Sequence, residues 1–214
     1  MTQKFLLPLV FVSLISSSFG QKSGKGILSP TKLGVQFTQG NERSFLFDDP
    51  DYFYRTNTLK LQFFYPLAKW KKLDISLIIQ PQVQFIQHQL YNEQFVLPEE
   101  ENYLEKRERY TKLKNVSITG LEFTFDLKKK VFKTTSLFFQ LGLGLAIIDT
   151  STERLTSGFT FLENVNLGVE QTLNSKFSFR VVTGIGHVSN LNFQLPNAGY
   201  NIFNTGISIQ YSLK

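Results

Sequence analysis

The segment GHVSNLNFQLPNAG, residues 186–199, contains residue types that together support acyl transfer. His187 and Ser189 are two positions apart, so on a β-strand their side chains project to the same side. An imidazole that takes the proton of a serine hydroxyl turns it into a nucleophile, provided that a third group fixes the imidazole tautomer. Asn190 follows directly, and its side-chain amide is a suitable donor to a developing oxyanion. The motif is short, so its meaning depends on where the chain places it.

The composition excludes several kinds of site. The chain has 214 residues, a length typical of one domain or of one domain with a removable leader. It contains no Cys, which excludes disulfides, thiolate metal ligands, a cysteine nucleophile and a lipoprotein cysteine. With 22 Phe, 8 Tyr and only 19% charged residues, the chain is not typical of a disordered protein. It is expected to bury a large aromatic surface or to present one to lipid.

Residues 1–20 are predicted to form a secretory signal peptide. Lys4 precedes an apolar run from Phe5 to Ile15, and the small residues Ser18 and Gly20 precede a cleavage site before residue 21. The apolar run is shorter than the roughly 18 residues that a membrane-spanning helix needs. Removing this leader takes away one Lys and so lowers the formal net charge of +6 by one. A secreted chain without helical spans can still cross a membrane as a β-barrel.

The rest of the chain alternates between bulky apolar residues and polar or small ones, which is the period of a β-strand. In SLFFQLGLGLAII, residues 136–148, Leu, Phe and Ile alternate with Gln, Gly and Ala. The segments DISLIIQPQVQF, 74–85, and NIFNTGISIQYSL, 201–213, repeat the pattern with Gln, Asn, Ser and Gly on one face. A polar face that consists mainly of Gln, Asn, Ser and Gly suits the lumen of a barrel better than the exterior of a soluble sandwich, where more charges are expected.

Eight such segments are present, and eight is the smallest even number of strands that closes a transmembrane barrel. The predicted strands are 33–40, 57–67, 73–88, 113–126, 135–148, 157–173, 177–189 and 200–213. Short connections alternate with long ones, and the long ones are expected on the outer side of the membrane. The sequence therefore predicts an all-β fold over 21–214, an eight-stranded antiparallel barrel in the cell outer membrane. One helical turn is expected in the 89–112 loop, and a lumen filled by side chains argues against transport.

The alternation of side chains along the strand indicates which face of the barrel carries His187 and Ser189. In the strand 177–189, His187 and Ser189 share the lipid-facing parity of Phe177 and Val181, whereas Arg180 faces the lumen. A lipid-exposed imidazole costs free energy unless it lies at the interface or has a partner. Because the pair ends this strand just before an outer loop, we expect it to face outward at the depth of the outer-leaflet head groups.

The motif also resembles a known family. HVSNLNFQLPNAGYN, residues 187–201, resembles the H-x-S-N and P-N-x-G signature of the PagL-type lipid A 3-O-deacylases, also called acyloxyacyl hydrolases. FFQLGLGLAIIDTSTERLTSGFTFLENVNLGVE, residues 138–170, is similar to that family's Gly-rich strand, loop and following strand. The resemblance covers roughly residues 135–214. It implies an outer-membrane esterase that removes an ester-linked acyl chain from lipid A, the lipid anchor of lipopolysaccharide, without a metal or another cofactor.

The resemblance also implies roles for individual residues. By position, His187 would be the base and Ser189 the nucleophile. Asn190, together with the backbone N–H near Asn192, would form the oxyanion hole. The family tends to place a glycine where this chain has Asn192, and it ends in an aromatic residue where this chain has Lys214.

Two residues are candidates for the third member of the triad. Well-known family members carry a glutamate there, and this chain has Asn201. An amide can orient His187 but cannot stabilise an imidazolium by charge. Glu163 is the alternative, because it lies opposite His187 if the NSK turn makes Leu173 oppose Phe177.

The sequence leaves two other classes of function open. A catalytically inactive structural or lipid-binding outer-membrane barrel would keep the fold, and the presence of Asn201 favours it. A secreted soluble barrel with a lipid inside is disfavoured by the Gln-rich lumen and the Phe-rich exterior. The expected partners are lipopolysaccharide and the outer membrane, with no nucleic acid, and a homodimer is left open.

Overall fold

The structure, a computed structural model, describes residues 29–44 and 48–213. These residues form a closed barrel of eight antiparallel strands in chain order, in which β1 pairs with both β2 and β8. The strands are β1 (Lys32–Asn41), β2 (Tyr52–Trp70), β3 (Leu73–Leu90), β4 (Lys114–Lys130), β5 (Thr135–Ile148), β6 (Gly158–Thr172), β7 (Phe177–Ser189) and β8 (Tyr200–Ser212). The predicted fold class is confirmed. The predicted signal peptide, 1–20, and Lys214 lie outside the described residues.

The connections between strands are short at one end of the barrel, the turn end, and long at the other, the loop end. The loop-end connections are 42–51, 91–113, 149–157 and 190–199. The 91–113 connection contains a 3-10 helix, Glu93–Phe95, and one α-helix, α1, Tyr103–Tyr110, where the sequence predicted a single turn. Among residues 29–44 and 48–213, no helix is both long and apolar enough to cross a membrane.

Strand β2 begins earlier than the sequence predicted. It starts at Tyr52 because Tyr52 and Tyr54 continue its inward alternation and are only 2% and 1% exposed. Tyr52 pairs with Leu90 and Tyr54 with His88, so β2 and β3 extend together toward the loop end. The run Tyr-Phe-Tyr at 52–54 contains no apolar and polar alternation, so the sequence pattern alone could not show this extension.

The outer face of the barrel is apolar. Exposed apolar side chains occur on every strand and include Val35, Leu61, Phe85, Phe125, Leu143, Leu167, Val181 and Ile209. Leu143 is 68% exposed although it lies in the middle of β5. A continuous apolar band around a barrel is typical of strands that cross a bilayer, because lipid then covers surface that would be unfavourable in water.

The lumen near the turn end contains a buried ion network around Arg180. Its guanidinium donates to both carboxylate oxygens of Asp126, at 2.9 and 3.0 Å, and to Glu170 at 2.6 Å. The Arg180 side chain is only 2% exposed, so these charges interact with little screening by water. The rings of Phe64 and Phe138 lie 5.1 and 4.4 Å from the guanidinium. The network ties β4, β6 and β7 together across the lumen.

A second polar layer lies next to the Arg180 network, on its loop-end side. Glu122, which is fully buried, accepts hydrogen bonds from Lys60 at 2.7 Å, Gln82 at 2.9 Å and Asn164 at 2.8 Å. The space beside this layer has a volume of about 20 Å³, roughly that of one water molecule. The polar lumen that the sequence predicted is therefore present and filled. It offers no room for a lipid, which removes the support for a soluble lipid-binding barrel.

The loop end of the lumen is closed by apolar side chains. Tyr52, Tyr54, Leu90, Leu155 and Tyr200 form the centre of this cluster, and each is at most 2% exposed. Because the cluster reaches from strand ends into the loops, it packs the loops against the barrel.

The ion network makes a specific prediction for stability. Replacing Arg180 with Ala leaves the carboxylates of Asp126 and Glu170 buried without their main partner. Breaking a buried ion pair in this way typically costs about 3–5 kcal/mol. We expect Arg180→Ala to lower the free energy of unfolding by roughly that amount, measured by urea unfolding of the detergent-folded barrel with gel migration as the readout.

The control is Arg55→Ala, which removes the same charge from an exposed position on β2. Its effect should stay within about 0.5 kcal/mol. Similar stability of the two variants would contradict a stabilising role for the network.

Candidate active site

Three strands bring polar side chains together on the outer face near the loop end. His187 lies directly opposite Glu163 of β6 and directly opposite Asn201 of β8. The predicted register is confirmed, since Leu173 N donates to Phe177 O at 2.9 Å and the β6–β7 ladder then pairs Glu163 with His187. All three side chains alternate with lumen-facing neighbours and so share the outer face.

The imidazole of His187 is held by Asn201. Its Nδ1 lies 2.8 Å from Asn201 Oδ1. A carbonyl oxygen only accepts hydrogen bonds, so Nδ1 carries the proton and donates it. In a neutral imidazole the other nitrogen, Nε2, then has a free lone pair. Nε2 of His187 has no hydrogen-bond partner in the described part of the chain, so it is available as a base.

Glu163 forms no hydrogen bond with His187 or Asn201. Its carboxylate forms no ion pair or hydrogen bond with any residue in 29–44 or 48–213. Directly opposed residues in an antiparallel pair have Cβ atoms about 4.5–5.5 Å apart. Glu163 therefore places a negative charge beside the imidazole, on the side away from Asn201.

Ser189 is the last residue of β7 and has outward parity, yet it is only 5% exposed. It lies opposite Phe161, whose ring packs against Phe193 at 6.1 Å and against Phe159 at 4.8 Å. Thr160 Oγ1 donates to the backbone oxygen of Ser189 at 2.8 Å and fixes the strand end. No hydrogen bond joins Ser189 to His187. In enzymes without substrate such bonds are often long and tighten only when substrate binds.

Asn190 organises the loop that follows. Its backbone N–H donates to Asn197 Oδ1 at 2.6 Å, and its side-chain Nδ2 donates to Gln194 O at 2.8 Å. Its Oδ1 is buried and, among the described residues, has no partner. The sequence predicted that the side-chain amide of Asn190 donates to the oxyanion. One of its two N–H hydrogens is bonded to Gln194 O within the loop, and the other remains available.

Leu191 and Asn192 form a tight turn with left-handed backbone. Their φ angles are 53° and 61°, and Phe193 N donates to Asn190 O at 3.1 Å across the turn. Glycine and asparagine adopt this conformation most readily. This explains why Asn192 can occupy the position at which the resembled family tends to have a glycine. The N–H groups of Leu191 and Asn192 donate to no acceptor within 29–44 and 48–213. They are free backbone donors next to Ser189.

Gly199 lies against the imidazole and has no room for a side chain. Its φ is +69°, and a Cβ there would lie 2.7 Å from Val188 O and 3.1 Å from His187 Nε2. The P-N-x-G turn thus places a backbone segment directly against the imidazole of His187. A larger residue at 199 would displace the imidazole or block its free nitrogen.

Arg154 holds Gly199 in place, and the sequence did not single it out. Its Nε donates to Gly199 O at 2.8 Å, and Gly199 N donates to Arg154 O at 3.1 Å. The guanidinium also pairs with Asp49 at 3.2 Å and lies over the Tyr52 ring at 4.5 Å. These partners come from two other loop-end connections and from the start of β2, so no local pattern could reveal the residue.

The second histidine, His88, belongs to a different environment. It is fully buried on the lumen side, with Nδ1 3.0 Å from Phe53 O and Nε2 2.8 Å from Glu153 Oε2. It lies below the loop-end connections and does not contact His187 or Ser189.

Comparison with known proteins identifies related sequences and folds. A family profile described as lipid A 3-O-deacylase (PagL) matches residues 58–210, which is more than half of the chain. The matched range contains every residue of the candidate site, namely Glu163, His187, Ser189, Asn190, Asn192 and Asn201. No curated protein sequence matches the chain.

Solved structures of other proteins also resemble this chain. The outer membrane enzyme PagL superposes with a TM-score of 0.52 at 11% identity, over 84% of this chain and 97% of that one. Neisserial surface protein A gives a TM-score of 0.44 at 8% identity, over 85% and 96% of the two chains. Ail, the attachment invasion locus protein of Yersinia pestis, gives 0.41 at 12% identity, over 86% and 99%. At these identities the likeness concerns the fold alone.

The tautomer of His187 is directly testable, because the chain has only two histidines. We expect nitrogen NMR of the ¹⁵N-histidine-labelled barrel in detergent to show neutral His187 protonated at Nδ1. Asn201→Ala removes the acceptor, so the Nε2-protonated form should become populated. Thr205→Ala, two steps along the same face of β8, serves as the control and should leave the His187 signals unchanged. An unchanged tautomer in Asn201→Ala would contradict the orienting role of Asn201.

Proposed function

Because the chain belongs to the PagL family of lipid A 3-O-deacylases, we propose that it hydrolyses the ester bond of an acyl chain on lipid A by a Ser-His mechanism. It is an outer-membrane β-barrel, and its candidate site lies on the outer wall. One observation supports the proposal most strongly. The hydrogen bond from His187 Nδ1 to Asn201 leaves Nε2 free as a base, two residues from a serine on the same face.

The reaction begins at Ser189. His187 Nε2 takes the proton of the Ser189 hydroxyl as Oγ attacks the ester carbonyl carbon. The tetrahedral intermediate then collapses, and the imidazolium gives its proton to the departing sugar oxygen. Water attacks the resulting acyl-enzyme in the same way, with His187 as base. This second half releases a free fatty acid and restores the serine.

The turn after Ser189 supplies the oxyanion donors in this mechanism. The free N–H groups of Leu191 and Asn192, with the remaining amide hydrogen of Asn190, lie next to the nucleophile. Donors fixed before the reaction stabilise the developing negative charge most effectively. The Asn190 and Asn197 hydrogen bonds keep the turn in this geometry.

In this mechanism, two residues share the role that one carboxylate usually has as the third member of a catalytic triad. Asn201 orients the imidazole through its hydrogen bond, and Glu163 stabilises the imidazolium by its charge from the opposite strand. The substrate is accessible because the ester groups of lipid A lie at the depth of the outer-leaflet head groups, near the loop end of the barrel. A homodimer, which the sequence left open, receives no support from this arrangement.

The reaction is tested by incubating lipopolysaccharide with the purified barrel and measuring fatty acid release and the mass of lipid A. The wild type should release one fatty acid and leave lipid A lighter by one acyl chain. Ser189→Ala and His187→Ala should each lower the rate by roughly 10³-fold or more, since nucleophile and base act as one unit.

Both variants should keep the folded-barrel migration on gels, because neither side chain belongs to the lumen packing. Undiminished release by folded Ser189→Ala would refute the nucleophile assignment. No release by the wild type from several lipid A types would favour an inactive barrel instead.

Two variants distinguish the contributions of Asn201 and Glu163 to the reaction. Asn201→Ala removes a hydrogen bond to the base, so we expect the rate to fall by roughly tenfold or more. Glu163→Gln keeps the shape of the side chain and removes only its charge, so the loss should be smaller. Thr205→Ala is the control on β8. A larger loss in Glu163→Gln would mean that charge, not orientation, limits the reaction, and equal wild-type rates in both variants would remove both assignments.

A further inference from the structure

A groove at the loop end lies beside the candidate active site. It has a volume of about 670 Å³, within the usual range for small-molecule sites. Phe95 and Tyr110 give it apolar surface, and α1 contributes Lys106 and Arg109. The 195–198 segment forms the wall nearest the site. The groove is thus lined by residues of three loop-end connections.

Arg109 is the cation of this groove that has no carboxylate partner within the described chain. Lys106, by contrast, pairs with Glu100 at 3.0 Å. The Arg109 guanidinium donates to Tyr110 OH at 2.6 Å and lies 4.7 Å from the centre of that ring. An exposed guanidinium held against an aromatic ring is well suited to bind a phosphate through paired hydrogen bonds.

Glu153 offers the groove an acceptor. Its Oε2 is bound to His88 Nε2 at 2.8 Å, whereas its Oε1 is buried and has no partner among residues 29–44 and 48–213. A buried acceptor without a donor is unfavourable, and a ligand hydroxyl would satisfy it. Together with the aromatic walls, these groups match a molecule that carries phosphate, hydroxyls and flat C–H faces, which describes a phosphorylated sugar.

The position of the groove indicates where such a sugar would come from. Asn197 lines the groove and also accepts the backbone hydrogen bond of Asn190 at 2.6 Å, next to Ser189. Pro196 O accepts from Thr156 N at 3.1 Å, which joins two walls of the groove. A lipid with its ester at Ser189 would extend its polar end away from the bilayer, toward this wall.

We propose that the groove binds the phosphorylated saccharide that projects from lipid A in lipopolysaccharide. The inference rests on the proposed function for the identity of the substrate, but it concerns a separate set of residues. The groove then favours saccharide-bearing lipopolysaccharide over free lipid A, and it places the substrate before the ester meets Ser189.

Direct binding tests the groove without any reaction. The wild-type barrel in detergent is titrated calorimetrically with the phosphorylated saccharide of fully delipidated lipopolysaccharide, which carries no ester. Binding is expected, and Arg109→Gln should weaken it by roughly tenfold or more. Lys112→Gln is the matched control, because it removes the same charge just beyond α1, where Lys112 pairs with Glu108 outside the groove.

Three results of the titration would overturn the proposal. They are absence of binding, equal weakening by Arg109→Gln and Lys112→Gln, and equally tight binding of inorganic phosphate at the same site. The last result would show that the groove recognises a phosphate only.

The kinetic comparison uses two substrates. Arg109→Gln should raise KM for lipopolysaccharide by roughly tenfold while leaving KM for free lipid A and kcat for both unchanged. Equal changes with both substrates would contradict a saccharide site. Absence of release from either substrate by the wild type would count against the proposed function, while the titration would still decide whether the saccharide binds.

Discussion

Closure of the barrel between β1 and β8 is the interaction on which the rest of the structure depends. Backbone N–H and C=O groups in hydrocarbon must be paired within the protein, so a membrane sheet cannot keep an open edge. The ladder runs from Lys32 opposite Ser212 to Asn41 opposite Phe203. Once it is closed, the register of every strand is fixed. A slip of one residue in β7 would turn His187 into the lumen and Arg180 toward lipid.

The barrel combines a rigid body with a site built at its rim. The buried ion network of Arg180 and the polar layer around Glu122 connect opposite walls of the lumen. His187 and Asn201 lie on strands, where the ladder sets their positions. The proposed oxyanion donors lie on a turn, which hydrogen bonds of Asn190 and Asn197 hold within the same loop. Arg154 holds the end of that loop at Gly199 from a neighbouring connection. Catalytic geometry on this scale depends on such supporting contacts, because small displacements are costly to rate.

The two side chains that lie on either side of His187 come from different strands. In many serine hydrolases one carboxylate orients the imidazole and also stabilises its charged form. Here β8 supplies an amide that bonds to His187, and β6 supplies a carboxylate that makes no hydrogen bond to it. The antiparallel register makes this division possible, since it places one residue on each side of the imidazole. The Asn at 201 is therefore compatible with an active site.

The sequence by itself determined the barrel and most of its strand limits, because the period-two pattern and the loop lengths follow from lipid outside and side chains inside. It also placed His187 and Ser189 on the outer face and Glu163 opposite the base, since parity and a short turn fix both. It could not extend β2 to Tyr52, where an all-aromatic run hides the alternation. It also could not show which of Asn201 and Glu163 forms a hydrogen bond with His187, or find Arg154 and the groove. Those depend on side-chain contacts between strands and loops distant in sequence, which only the closed tertiary structure brings together.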